Sequence, residues 1–206
     1  MFMKILLSFV ILFYLLSCTT RRPEPADSFK TLISDTSITH RPNLEIDFSK
    51  RQSELLHLPY IFKGVDSFEL RIWSLGFWTR TDLFILRYSQ NKWVAANYIY
   101  YDNNNIIDSL HLLTRQIGND TASKIQEYLI QDSILNLPSQ IAIPNFRDNT
   151  ADGQTYYIEV ATDKFYKLLG YHNPQYFNDP YNRQFIRLLN FLKSKFRINH
   201  FYQLDQ

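Results

Sequence analysis

Phe68-Glu69-Leu70-Arg71-Ile72-Trp73-Ser74 and, a few residues on, Leu83-Phe84-Ile85-Leu86-Arg87-Tyr88 are the stretches that decide the fold. In the first, Phe68, Leu70, Ile72 and Ser74 alternate with Glu69, Arg71 and Trp73; in the second, Leu83, Ile85 and Arg87 alternate with Phe84, Leu86 and Tyr88. A repeat of two sends successive side chains to opposite faces of an extended chain, so both stretches read as strands. Ser89-Gln90-Asn91-Lys92 is a compact polar turn into Trp93 to Tyr101, whose β-branched and aromatic residues favour a third strand. Asp102-Asn103-Asn104-Asn105 is a second turn, because Asn and Asp tolerate left-handed backbone. Ile106 to Ile117 then completes a four-strand antiparallel meander.

Helical spacing replaces alternation after Asp120. Ile125, Tyr128 and Leu129 share one face, Ser123 and Gln126 have capping-box spacing, and the helix is expected to stop before Leu135-Asn136-Leu137-Pro138. A short strand at Ile141-Ala142-Ile143 and a polar stretch from Asn145 to Gly153 follow. Gln154 to Val160 and Phe165 to Tyr171 form a second hairpin across Thr162-Asp163-Lys164. The last helix has Asp179 as its cap, Pro180 at its first position, and Phe185, Leu188, Leu189, Leu192 and Phe196 along one stripe. The expected class is α+β: an antiparallel sheet, meander plus later hairpin, with about two helices packed on one face.

Composition narrows the function. The chain has 206 residues but only 5 Gly, where average usage gives roughly 14, which argues against phosphate-cradling loops and nucleotide-binding enzymes. A single Cys allows no intrachain disulfide and is too few for structural zinc or iron-sulfur sites. Lys plus Arg number 22 against 20 Asp plus Glu, with no long basic block, so no nucleic-acid partner is expected. No cofactor is expected either.

The N-terminus reads as an address. Lys4 precedes an apolar run from Ile5 to Leu16 that ends in Leu15-Leu16-Ser17-Cys18. That run is short of the about 20 residues needed to span a membrane, and its layout is that of a secretory signal. Leu15 to Cys18 resembles a lipobox, the bacterial lipoprotein motif. The resemblance implies a diacylglyceryl group on the Cys18 thiol, palmitate-type acylation and cleavage before Cys18. Residues 1–17 are then the signal peptide, 18–30 the lipidated Cys and a Pro-containing polar tether, and 31–206 a single globular domain. Thr19 after the Cys implies the outer membrane rather than retention at the inner one. The chain would be held at the cell envelope by its N-terminal lipid.

The layout also resembles uncharacterised lipoproteins of the Bacteroidetes type. The matching stretches are the meander ending in an aromatic run, the helix finishing in Leu-Pro, Asp152-Gly153 with Tyr156 and Glu159, and Tyr171-His172-Asn173-Pro174 before the terminal helix. That resemblance carries no known activity.

Several constellations bear on chemistry. Asp148, Asp152 and Glu159, with Gly153, overlay positions 1, 5, 12 and 6 of a calcium loop, although Thr150, Thr155 and the strand-like Tyr156 to Val160 depart from it; an Asp-Gly turn opening a hairpin is the competing reading. His172, near Asp152 and Glu159 if the hairpin forms, is the best acid-base candidate, and its competing reading is a loop histidine capping a turn. No His-Glu-x-x-His or Gly-x-Ser-x-Gly motif occurs. Tyr156, Tyr166 and Tyr171 belong to a set of tyrosines that would line a sugar- or peptide-binding groove, or else fill the core and pair across strands. The candidate ligand-binding set is therefore Asp152, Tyr156, Glu159, Tyr166, Tyr171 and His172. The expected role is a lipid-anchored binding or interaction module with a protein or glycan partner. An accessory, immunity-type protective envelope protein is the alternative, and a hydrolase using Asp152, Glu159 or His172 stands behind both.

Overall fold

The computed structural model describes residues 42–196, apart from 77–79, 104–105, 132–135, 148–151 and 164–165. Cys18, the tether and Asp148 lie outside the described residues. The helices and strands of the described residues run α1 (Pro42–Leu55), β1 (Phe68–Leu75), β2 (Arg80–Ser89), β3 (Lys92–Asn103), β4 (Ile106–Ile117), α2 (Asn119–Gln131), β5 (Thr155–Thr162), β6 (Tyr166–His172) and α3 (Pro180–Phe196). The six strands form one antiparallel sheet in the order β4-β3-β2-β1-β5-β6. The meander stands as expected, and the later hairpin joins it along β1. Gln90 and Asn91, with φ of 49° and 61°, supply the left-handed pair that a two-residue hairpin turn requires between β2 and β3.

One sheet face packs on α2 and α3. Phe68, Leu70 and Ile72 of β1, Phe84 and Leu86 of β2, and Ile158 and Val160 of β5 meet Ile125 and Leu129 of α2 and the Phe185, Leu188, Leu189, Leu192 stripe of α3. Asp179 Oδ1 accepts the backbone N–H groups of Tyr181 and Asn182 at 3.0 Å each, so the terminal helix is capped as its sequence indicates.

The opposite face is covered as well, by α1. Phe48 packs edge-on against Trp73 with centroids 5.9 Å apart, and Leu56, Leu83, Ile85 and Tyr100 complete a second, smaller core. This third helix adds to the expected pair and changes the meaning of β1. Its alternation of Phe68, Leu70, Ile72 with Glu69, Arg71, Trp73 is not inside against outside, because both sets are buried. The expected strand at Ile141 to Ile143 is instead a single 3-10 turn, Gln140–Ala142. It runs beside β6, and its flanking side chains bond to that edge: Ser139 Oγ accepts Gly170 N–H at 3.0 Å, Gln140 Oε1 accepts His172 N–H at 2.7 Å, and Gln140 Nε2 donates to the His172 carbonyl at 2.9 Å. Side chains replace a ladder there, so a strand is not needed.

Candidate functional site

The six predicted ligand residues do not share a cleft. Tyr156 and Tyr171 are opposite each other in the β5–β6 register and point beneath α3. Tyr171 stacks on Phe185 at 4.4 Å and donates to the Pro138 carbonyl at 2.6 Å, while Tyr156 meets Phe185 edge-on at 5.5 Å. Burial pushes both phenol pKa values up, with Asp82 adding to the shift at Tyr156 and Asp179 at Tyr171. These two are core residues.

Glu159 lies on the other side of the sheet, fully buried beneath α1. Its Oε1 accepts from Ser49 Oγ at 2.6 Å and Tyr166 Oη at 2.8 Å, and its Oε2 accepts from Trp73 Nε1 at 2.6 Å. Three neutral donors hold this carboxylate in place, which accounts for Tyr166 too. The described residues give the calcium reading no support, because Glu159 is turned under a helix while Asp152 is exposed at the start of the hairpin. Among the described residues, no three His, Cys, Asp or Glu side chains are grouped to hold a metal ion.

His172 sits four residues beyond Leu168, the register partner of Glu159, so about 13 Å separates them along the strand. Both of its ring nitrogens are engaged. Asn173, at φ 47°, accepts Gln154 N–H through Oδ1 at 2.8 Å, which fixes its amide. Asn173 Nδ2 is then the donor to the Asp152 carbonyl at 2.7 Å and contacts His172 Nε2 at 3.1 Å. With Nε2 accepting, Nδ1 carries the proton and donates to Thr155 Oγ1 at 2.8 Å. The imidazole ties the hairpin mouth together and has no nitrogen free for general acid-base work. Gly153 belongs to the same knot: at φ 150° a Cβ there would fall 1.7 Å from Asn173 Oδ1.

Alternation and motif spacing gave no sign of two other features. The first is a chain of charges beneath α1, buried at Glu69 and Arg71 and half-exposed at Arg87. Glu69 Oε1 accepts Arg71 Nε at 2.7 Å and its Oε2 accepts Arg87 Nε at 2.6 Å, while Arg71 also donates to Ser53 Oγ at 3.0 Å and to the Pro59 carbonyl at 2.7 Å. The hydrogen bond to Glu69 raises the Arg87 pKa against the opposing effect of burial. This network holds α1 to the sheet.

The second is the β4 edge. The two sheet edges are treated differently: β6 is bonded by Ser139 and Gln140, whereas β4 has no neighbour on its outer side among the described residues. From Ser109 to Gln116 every residue of β4 is exposed on both faces. Four of its large apolar side chains lie open: Ile106 at 67%, Leu110 at 45%, Leu112 at 49% and Leu113 at 70% of their full accessibility. Beside it runs a groove of about 250 Å³ floored by Phe84, Ala95 and Asn97 and walled by Leu113, Arg115 and Phe196. Asn97 Oδ1 is buried there without a hydrogen-bond partner. Arg115 closes one end, its guanidinium 4.8 Å from the Phe196 ring and donating to the Lys195 carbonyl at 2.8 Å. An edge of bare backbone with apolar side chains on both faces is a surface for taking on another chain. Compared with known proteins, the chain matches no protein-family model and no curated protein sequence.

Proposed function

We propose that this chain is a lipid-anchored binding module of the bacterial cell envelope, tethered through an acylated Cys18 and presenting β4 as its interaction surface. The observation that carries the reading is the β4 edge, open on both faces from Ser109 to Gln116 and carrying the exposed apolar side chains Ile106, Leu110, Leu112 and Leu113. Glu159 and His172, on which a hydrolase would rest, are committed to hydrogen bonds inside the fold and lie on register positions well apart along the hairpin, so binding is the better use of the surface. No helix among the described residues is long and apolar enough to cross a membrane, and attachment is assigned to the lipid.

Chemical cross-linking of intact envelopes tests the surface. Wild-type protein is expected to give discrete cross-linked species, with itself or with another protein, that the doubly substituted Leu112→Lys, Leu113→Lys chain lacks while melting at the same temperature. Identical cross-linking patterns from the two proteins would sink the proposal.

A further inference from the structure

Resting on the binding surface just proposed, we infer that β4 is a self-association strand: two copies of this chain pair β4 against β4, antiparallel, about a two-fold axis passing between the two copies of His111. The main-chain groups along the outer side of β4 face no strand among the described residues, and a row of backbone donors and acceptors is best satisfied by another backbone. The occupant is therefore a strand, and the sequence of β4 says which one.

In an antiparallel pair, residues directly opposite share a sheet face. A two-fold axis normal to the sheet consequently joins β4 residues of the same face. Leu110 and Leu112 lie opposite Tyr100 and Tyr98 of β3 and share the α1 side, while Ser109, His111 and Leu113 lie opposite Tyr101, Ile99 and Asn97 on the other side. With His111 on the axis, Leu110 meets the partner's Leu112 twice, and Leu113 meets the partner's Ser109 twice. Moving the axis to Leu112 leaves one leucine pair and sets Leu110 against Thr114. The five residues Ser109 to Leu113 also hold an unbroken register with β3, because the irregularity lies between Tyr101 and Asp102. Five pairs make a strand contact of ordinary length. The stretch from Ser109 to Thr114 contains no Lys, Glu or Pro, the residues that keep edge strands from pairing. Asp108 and Arg115 stand outside the five-pair ladder, so no like charges with permanent ionisation face each other within it.

His111→Cys in the full chain carrying Cys18→Ser provides a single thiol on the proposed axis. Opposed Cα atoms in an antiparallel pair are about 4.5 to 5.5 Å apart, inside the range a disulfide spans. Mild oxidation is expected to convert this variant into a covalent dimer, and an added Leu112→Lys is expected to cut the rate at least roughly tenfold with an unchanged far-ultraviolet spectrum. A rate no higher than that of Ser123→Cys, an exposed thiol on α2, would overturn the pairing. So would a monomer in which the β4 amides that point away from β3, between Ser109 and Leu113, resist hydrogen exchange, which would mean that the chain covers its own edge. Envelope cross-links from β4 to a different protein alone would end the self-pairing but leave β4 standing as a binding surface.

Discussion

Glu69 is the residue on which the α1 face depends most. Its carboxylate accepts one Nε from each of two arginines, and Arg71 is fully buried. Removing one partner of such a pair leaves a charge without compensation, a loss of about 3 to 5 kcal/mol. Glu69→Ala is expected to reduce unfolding free energy by that amount in a urea titration, and a change below about 1 kcal/mol, the range of an exposed ion pair, would refute the role given to it. The tyrosines give a pH dependence. Burial raises the pKa of Tyr100, Tyr156 and Tyr171 in the folded chain, whereas in the unfolded chain phenols ionise near pH 10. Their contribution is complete below about pH 10 and drains as pH rises further, by roughly 1.4 kcal/mol per pH unit for each phenol. Melting temperature is expected to fall steeply above about pH 10, and Tyr156→Phe should lessen the slope by about a third; a flat profile would show that these phenols ionise freely. Little at this scale was legible in advance. Glu159 and His172 were singled out as chemistry-bearing types, but residue type does not reveal that Ser49, 110 positions away, already bonds one and Thr155 the other.

Elements were more legible than residues, with a physical reason for each exception. All four meander strands, the later hairpin, α2 and α3 follow from periodicity, turns and capping, and all of these but β4 bury an apolar stripe or face. The helix α1 escaped because the side it buries includes Ser49, Gln52 and Ser53, which leave no apolar repeat to find. Polar pairing substitutes for apolar packing there, as in the bond of Tyr100 Oη to Gln52 Oε1 at 2.5 Å. The openness of β4 was equally hidden, because its Leu110, Leu112 and Leu113 look like core residues in sequence. Arg115 is the tie between β4 and the end of α3. Arg115→Ala is expected to cost only about 1 kcal/mol overall yet to speed hydrogen exchange along β4 more than along β1, whose amides lie between two covered faces. Equal acceleration across the sheet would contradict that local role.

For the molecule as a whole, the proposed attachment and the proposed association rest on separate parts of the chain. The proposed anchor acts through Cys18 alone, the single Cys of the chain. Cells supplied with a palmitate analogue are expected to label the wild-type protein and not Cys18→Ser, which should leave the membrane fraction; persistent labelling of the variant would end the lipoprotein reading. Each buried acyl CH₂ contributes about 0.8 kcal/mol, and two or more chains hold a protein in the bilayer durably. The unequal treatment of the two sheet edges bears on what such anchored molecules build. Ser139 and Gln140 bond to Gly170 and His172 at the end of β6, so a sheet extended through β4 would meet a partly capped strand at each far end. In the proposed pair the two-fold contact uses both copies of β4, so growth would stop at two chains, and an open edge that would otherwise seed a fibre would give a finite particle instead.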